Sequence, residues 1–190
     1  AGESYSVREL LLGLLLASGN DAALALADHV AGGEKEFAAL MNETAKRIGA
    51  VNTCFANPHG LPAEEHYSTA LDMAKITAYG LSIPVFRNIV STKTKSVSWE
   101  GREYDRVLNN HNKLLSMYKG CIGVKTGFTK AAGRCLVSAA ERNDMTVICV
   151  TLNAPDDWND HMNIYNSVFE NYEKKAVIST EEVLGNVKVK

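Results

Sequence analysis

Arg134-Cys135-Leu136-Val137-Ser138-Ala139-Ala140-Glu141-Arg142-Asn143-Asp144-Met145-Thr146-Val147-Ile148-Cys149-Val150-Thr151-Leu152 is the stretch that decides the fold class. Two strand-like runs, Arg134–Ala140 and Met145–Leu152, flank Asn143-Asp144, residue types that suit a tight hairpin turn. Met145–Leu152 is almost continuously apolar, as expected of a strand covered on both faces. Just upstream, Ile122–Thr126 is a candidate strand. Thr92–Trp99 and Arg102–Val107 flank Glu100-Gly101 and read as a further hairpin.

Working back from these strands, the first 80 residues or so are helical in pattern. Ser6-Val7-Arg8-Glu9 is a capping box, followed by Leu10, Leu11, Leu14 and Leu15 at helical spacing. Gly19 breaks the run, Asp21–Val30 restarts it, and a third helix fits Glu34–Ile48 with Gly49 as its left-handed cap. Residues 51–67 have loop composition. Thr69-x-x-Asp72 reads as a second capping box, and a short helix with Pro84 in its first turn begins near Ser82. Beyond the strands, Asp156–Glu173 is helical, with Pro155 before it and acids in its first turn. Helices, then antiparallel strands, then a closing helix predict an α+β fold, an antiparallel sheet with helices on both sides. Residues 1–175 form the catalytic-type domain, and the tail, residues 176–190, reads as the start of a C-terminal β-rich domain.

Bulk properties narrow the function. A chain of 190 residues holds one domain with a sizeable core. Its formal charge of −2, with acids and bases well mixed, gives neither a nucleic-acid footprint nor a polybasic membrane stripe. The most apolar run, Leu10–Ala17, falls far short of the roughly 20 residues of a membrane span. Ala1-Gly2-Glu3-Ser4 has no signal-peptide character. Cys54, Cys121, Cys135 and Cys149 are widely spaced and read as free thiols. His29, His66, His111 and His161 lack metal-ligand spacing.

Two short motifs carry chemistry. Ser18-Gly19-Asn20 lies at a junction of two helices, and Lys125-Thr126-Gly127 ends a candidate strand. Either alone is a cap or a strand end. Together they make a workable acyl-transfer site, in which hydroxyl and amide relay a proton and hold a substrate amide. The lysine supplies positive charge, the threonine binds a carboxylate, and glycine lets substrate backbone approach.

With Ser18-Gly19-Asn20 and Lys125-Thr126-Gly127 in this order, the chain resembles the low-molecular-mass penicillin-binding D-alanyl-D-alanine carboxypeptidases, of β-lactamase/transpeptidase-like fold. Matching stretches are Leu15–Ala22, Asn57-Pro58-His59-Gly60-Leu61, Tyr67–Ala74 and Gly123–Thr129. The resemblance implies a serine enzyme of peptidoglycan biosynthesis and cell shape that removes the terminal D-Ala of stem peptides through an acyl-enzyme, a state that β-lactam antibiotics trap. It implies Ser18, Asn20 and Lys125 as catalytic residues. Lys125, Thr126, Gly127, Phe128 and Thr129 would bind substrate, with the Phe128 N–H as an oxyanion donor and His59 bordering the site. No metal or cofactor is implied. The location would be extracytoplasmic, secreted or on the outer membrane face, with any tether in a C-terminal segment that the sequence does not contain.

The sequence departs from the family pattern in three places. No Ser-x-x-Lys lies among the 17 residues before Ser18. The chain therefore reads as an N-terminally truncated fragment, without its first strands and nucleophile helix and inactive alone. The one match, Ser116-Met117-Tyr118-Lys119, stands in a loop-to-strand entry and reads as coincidence. Phe128 stands where many relatives have histidine. The stretch Pro155–His161 lacks the arginine that relatives often carry there, which leaves carboxylate recognition to Lys125 and Thr126. Three alternatives are a class A β-lactamase, a D,D-endopeptidase and a non-catalytic peptidoglycan-binding fragment. The first lacks its Glu-x-x-Leu-Asn motif, because Glu103–Asn109 has the wrong spacing.

Overall fold

A computed structural model describes residues 2–98 and 101–175. The fold is α+β. Five helices come first, α1 (Val7–Ala17), α2 (Asn20–Ala31), α3 (Glu34–Arg47), α4 (Ala70–Leu81) and α5 (Pro84–Val90). A two-stranded ribbon follows, β1 (Thr94–Val97) and β2 (Arg106–Asn109), then the one-turn α6 (Leu114–Met117). Strands β3 (Cys121–Thr129), β4 (Gly133–Arg142) and β5 (Met145–Thr151) form an antiparallel sheet in that order, and α7 (Asp157–Asn171) closes the described chain. The sequence-predicted tail, residues 176–190, lies outside the described residues.

The central strand organises the core. Leu136–Ala140 of β4 are all buried, and alternate side chains face opposite layers. Leu136 and Ala140 join Leu114, Tyr118, Cys149 and Tyr165 under α7. Val137 and Ala139 join Leu81, Val90 and Val124 under α4 and α5. Asn143 and Asp144, at φ 50° and 59°, make the tight β4–β5 turn that the sequence announces. Gly133, at φ +69°, closes the turn into β4, where a Cβ would lie 2.0 Å from Asn153 Oδ1. Only glycine fits there.

The structure corrects several sequence expectations. Strand β5 is covered on both faces as its apolar run predicts, with Val147 and Cys149 under α7 and Ile148 and Val150 in the cluster of α4 and α5, although Cys149 is its one fully buried residue. It is an edge strand among the described residues, and β4 takes the fully covered position. The buried side of α1 centres on Leu12 and Leu16, which pack with Ile89, Val97 and Leu108. That packing also sets the ribbon register, Val97 opposite Arg106 and Lys95 opposite Leu108, so β2 starts four residues later than the pattern suggests. Trp99 and Glu100 of that hairpin lie outside the described residues. The Ser6–Glu9 capping box is present in full.

Asp72 is not the reciprocal half of a capping box. Thr69 Oγ1 accepts from Asp72 N, but the Asp72 carboxylate turns inward and is fully buried. It accepts from Asn52 N at 2.6 Å, Thr53 Oγ1 at 3.1 Å and Lys75 Nζ at 3.2 Å. Burial alone would raise its pKa, and these donors outweigh burial and hold it below the usual carboxylate range. Lys75 also donates to Gly49 O at 2.6 Å, so the pair pins residues 49–53 to α4.

Candidate active site

The junction between α1 and α2 takes only two residues, Ser18 and Gly19. Ser18 ends α1 in the left-handed region, φ 56° and ψ 39°, and Gly19 N donates to Gly13 O at 3.1 Å. Gly19 is already the cap of α2. A left-handed serine costs roughly 1–2 kcal/mol relative to glycine, so the position stores strain where the hydroxyl is displayed. Ser18→Gly should therefore unfold at higher urea than Ser18→Ala, by about 1 kcal/mol, because only glycine relieves the backbone. Equal midpoints for the two variants would mean that no strain is held there.

Lys125 reaches that hydroxyl from β3. Its Nζ donates to Ser18 Oγ across 107 residues of sequence and to Thr126 O at 2.7 Å. No carboxylate pairs with it among the described residues. Burial lowers its pKa to about 8, since a cation away from water is disfavoured. A hydroxyl that accepts from an ammonium must aim its own hydrogen elsewhere, which is the polarity a proton relay needs.

The other sequence-selected residues fall into two groups. Thr126, Gly127 and Phe128 continue β3 beside Lys125, with Phe128 71% exposed. Thr126 Oγ1 has no partner among the described residues. Asn20 is the exposed first residue of α2, directly after the junction. Thr129 is drawn into the turn instead, its Oγ1 accepting from Ala132 N at 2.9 Å. His59 lies 3.1 Å from Glu34 at the start of α3, and its Nδ1 accepts from Leu61 N. Its partners belong to α3 and its own loop, and none to the Ser18–Lys125 pair.

Ser116 and Lys119, the decoy match, are both exposed around α6. Glu103, nearest to a deacylating base in the rival reading, is exposed in the β1–β2 connection. All four cysteines are free.

Two arrangements escape sequence reasoning. Ser138 Oγ lies 2.6 Å from His161 Nδ1 and 2.5 Å from Tyr165 OH, while His161 Nε2 meets Thr151 Oγ1 at 3.0 Å. This serine–histidine pair has no access to substrate, because Ser138, His161 and Tyr165 are all fully buried. It joins the sheet to α7. The second is Arg134, whose Nη2 donates to Asp157 Oδ1 at 2.6 Å at the start of α7, with its guanidinium over the Trp158 ring. Arg134 and Asp157 stand 23 residues apart and meet only through the packing of α7 on β4, so nothing local announces the pair.

Residues 1–156 match the sequence model of the D-alanyl-D-alanine carboxypeptidases. The D-alanyl-D-alanine carboxypeptidase DacF of Bacillus subtilis is 36% identical over 192 residues, covering 100% of this chain and 49% of that protein. The D-alanyl-D-alanine carboxypeptidase of Streptomyces sp. K15 is 41% identical over 162 residues, covering 80% and 55%. The chain thus spans about half the length of these relatives. Among solved structures, a mutant of Streptomyces K15 DD-transpeptidase superposes with a TM-score of 0.84 at 38% identity, covering 90% of this chain and 70% of that one. A penicillin-binding protein homologue from Mycobacterium tuberculosis gives 0.84 at 34%, covering 94% and 70%.

Proposed function

Because this chain belongs to the D-alanyl-D-alanine carboxypeptidase family, we propose that it forms the substrate-holding half of a serine-type site that removes the terminal D-Ala from peptidoglycan stem peptides. The observation that carries the reading is the hydrogen bond from Lys125 Nζ to Ser18 Oγ, which joins two distant motifs in one place. In the reaction, an attacking serine adds to the penultimate D-alanine carbonyl, and the terminal D-alanine leaves with a proton that Ser18 Oγ relays. Water then hydrolyses the acyl-enzyme. Asn20 holds the substrate amide, Lys125 provides the positive field, Thr126 receives the terminal carboxylate, and the Phe128 N–H faces the developing oxyanion. A substrate made of cell wall puts this work outside the cytoplasmic membrane.

No Ser-x-x-Lys stands ahead of Ser18 in the 190 residues, so the chain by itself binds such ends without acylation. The test uses a fluorescent penicillin and peptidoglycan rich in D-Ala-D-Ala ends. The 190-residue polypeptide should be retained on the peptidoglycan and carry no covalent label after denaturation. A covalent label mapped to Ser116 would sink this division of labour, and failure to bind the peptidoglycan would sink the substrate assignment.

A further inference from the structure

The two halves of the site share a support that neither motif contains. Ser18 stands two residues beyond Leu16 of α1, and Lys125 stands two residues beyond Gly123 of β3. Between them lies the last turn of α5. Ile89 packs with Leu12 and Leu16, and its neighbour Val90 packs with Val124. The approach to β3 is close, since a Cβ at Gly123 would lie 2.8 Å from Val90 Cγ2. The end of α1 and the start of β3 are therefore referenced to one another through two adjacent residues of a seven-residue helix.

So short a helix keeps its place only if its end is secured, because its last carbonyls lack helical partners. Asn110 secures it. Its Nδ2 donates to Val90 O at 3.1 Å and to Thr92 O at 3.0 Å, and its Oδ1 accepts from Asn112 N at 2.9 Å. The last of these bonds makes an Asx turn, which fixes the direction of the residue enclosed by it. That residue is His111, and its backbone N–H donates to Leu16 O at 3.2 Å, meeting a carbonyl in the final turn of α1. One half-buried side chain thus commits both amide hydrogens to the end of α5 and its oxygen to the turn that reaches α1. The backbone bond from Asn110 N to Lys93 O at 2.8 Å would be enough for a residue that merely ended the ribbon.

We propose that Asn110 is a positioning residue for the acyl-transfer site, holding the end of α1 that displays Ser18 at contact distance from the strand that carries Lys125. It touches neither group and acts through Val90 and Leu16. The functional part of this role rests on the D-Ala-D-Ala reading above; the geometric part, the contact of Ser18 with Lys125, does not. Removing the side chain leaves the Val90 and Thr92 carbonyls unmet and frees the 110–112 turn. The end of α1 then parts from β3, and the Lys125 ammonium gains water in place of the Ser18 hydroxyl.

The test follows Lys125 and peptide binding together in the 190-residue chain. Carbon-13 NMR of labelled lysine side chains reports the Lys125 titration, assigned by its absence in Lys125→Met, and calorimetry measures binding of Nα,Nε-diacetyl-L-Lys-D-Ala-D-Ala. Burial holds the wild-type midpoint down at about 8. In Asn110→Ala it should rise by about one pH unit or more as water reaches the ammonium, and peptide affinity should fall about 10-fold, the scale of one or two lost hydrogen bonds. Asn110→Ser keeps an oxygen for the turn but no donor for the end of α5, and it should lie between wild type and Asn110→Ala; it carries the test if the alanine variant does not melt cooperatively. Asn42→Ala controls for general loosening. Asn42 makes a comparable pair of bonds to the Phe55 main chain, at 2.8 and 2.7 Å, and their loss should leave both readouts at wild-type values. If both Asn110 variants keep the wild-type midpoint and affinity, or if Asn42→Ala shifts them as far, the inference is overturned and Asn110 is only a helix cap. If the wild type itself does not bind the peptide, the D-Ala-D-Ala reading falls, and the Lys125 titration still decides whether Asn110 sets the contact.

Discussion

Lys125→Met should yield a protein that is harder to unfold and no longer recognises D-Ala-D-Ala ends. The ammonium is buried without a carboxylate, and its pKa falls to about 8 for that reason alone. A group depressed from 10.5 to about 8 costs the fold about 1–3 kcal/mol at neutral pH, with hydrogen bonds to Ser18 and Thr126 offsetting part of it. Methionine fills much the same volume and removes that cost. The sign carries over to pH. Between about 8 and 10.5 the unfolded chain binds more protons, so wild-type stability rises with pH through that window and is fully recovered above it. Below about 8 both states are protonated and the whole cost is present. The methionine variant should lack this rise. On the binding side, loss of a buried charge that meets the ligand should weaken affinity 100-fold or more. Urea unfolding at pH 7 and 10, with peptide titration, checks both halves. A methionine variant less stable than wild type at pH 7 would show that the lysine is no burden to the fold.

Acidification should unfasten the sheet from α7 through His161. Its ring is fully buried between Ser138 Oγ and Thr151 Oγ1. Burial lowers its pKa to about 4, against the smaller opposite pull of Asp157 and Asp160. The folded pKa is depressed from 6.5 to about 4. The contribution to stability is therefore complete above 6.5 and is lost progressively as pH falls towards 4. At 1.36 kcal/mol per pH unit this amounts to about 3 kcal/mol, a large part of the 5–15 kcal/mol typical of a domain. Urea midpoints at pH 7 and pH 4.5 measure it, and a His161→Asn variant should show a flatter profile. Equal profiles for the two proteins would remove His161 as the cause.

Much of this was readable from residues alone because local rules and tertiary packing agree. The Ser6–Glu9 box, the Gly49 cap and the Asn143-Asp144 turn each depend on neighbours within a few positions, and each stands where the sequence places it. The meeting of Ser18 with Lys125 was legible only because two motifs were read together. What could not be read depends on partners far apart in sequence. Asp72 looks like a cap from Thr69, yet its carboxylate is claimed by Asn52 and Thr53, 20 and 19 residues away. Coverage of both faces of β5 was legible in its apolar run, but its place at the edge of the described sheet was not, because composition does not say which strand lies there. Arg134 and Asp157 are 23 residues apart and are joined only by the packing of α7 on β4. His59 sits in a matching loop, but its ring is taken up by Glu34.

The outer side of β5 has a consequence for handling the protein. Met145-Thr146-Val147-Ile148-Cys149-Val150-Thr151 contains no charge, proline or glycine, and no strand pairs with its far side among the described residues. Natural borders of this kind are usually blunted by lysine, proline or a bulge. Here nothing in the strand itself discourages a second molecule from laying down alongside, so concentrated stocks should thicken into β-rich material, and a lysine set at Val147 or Thr146 is the simplest deterrent.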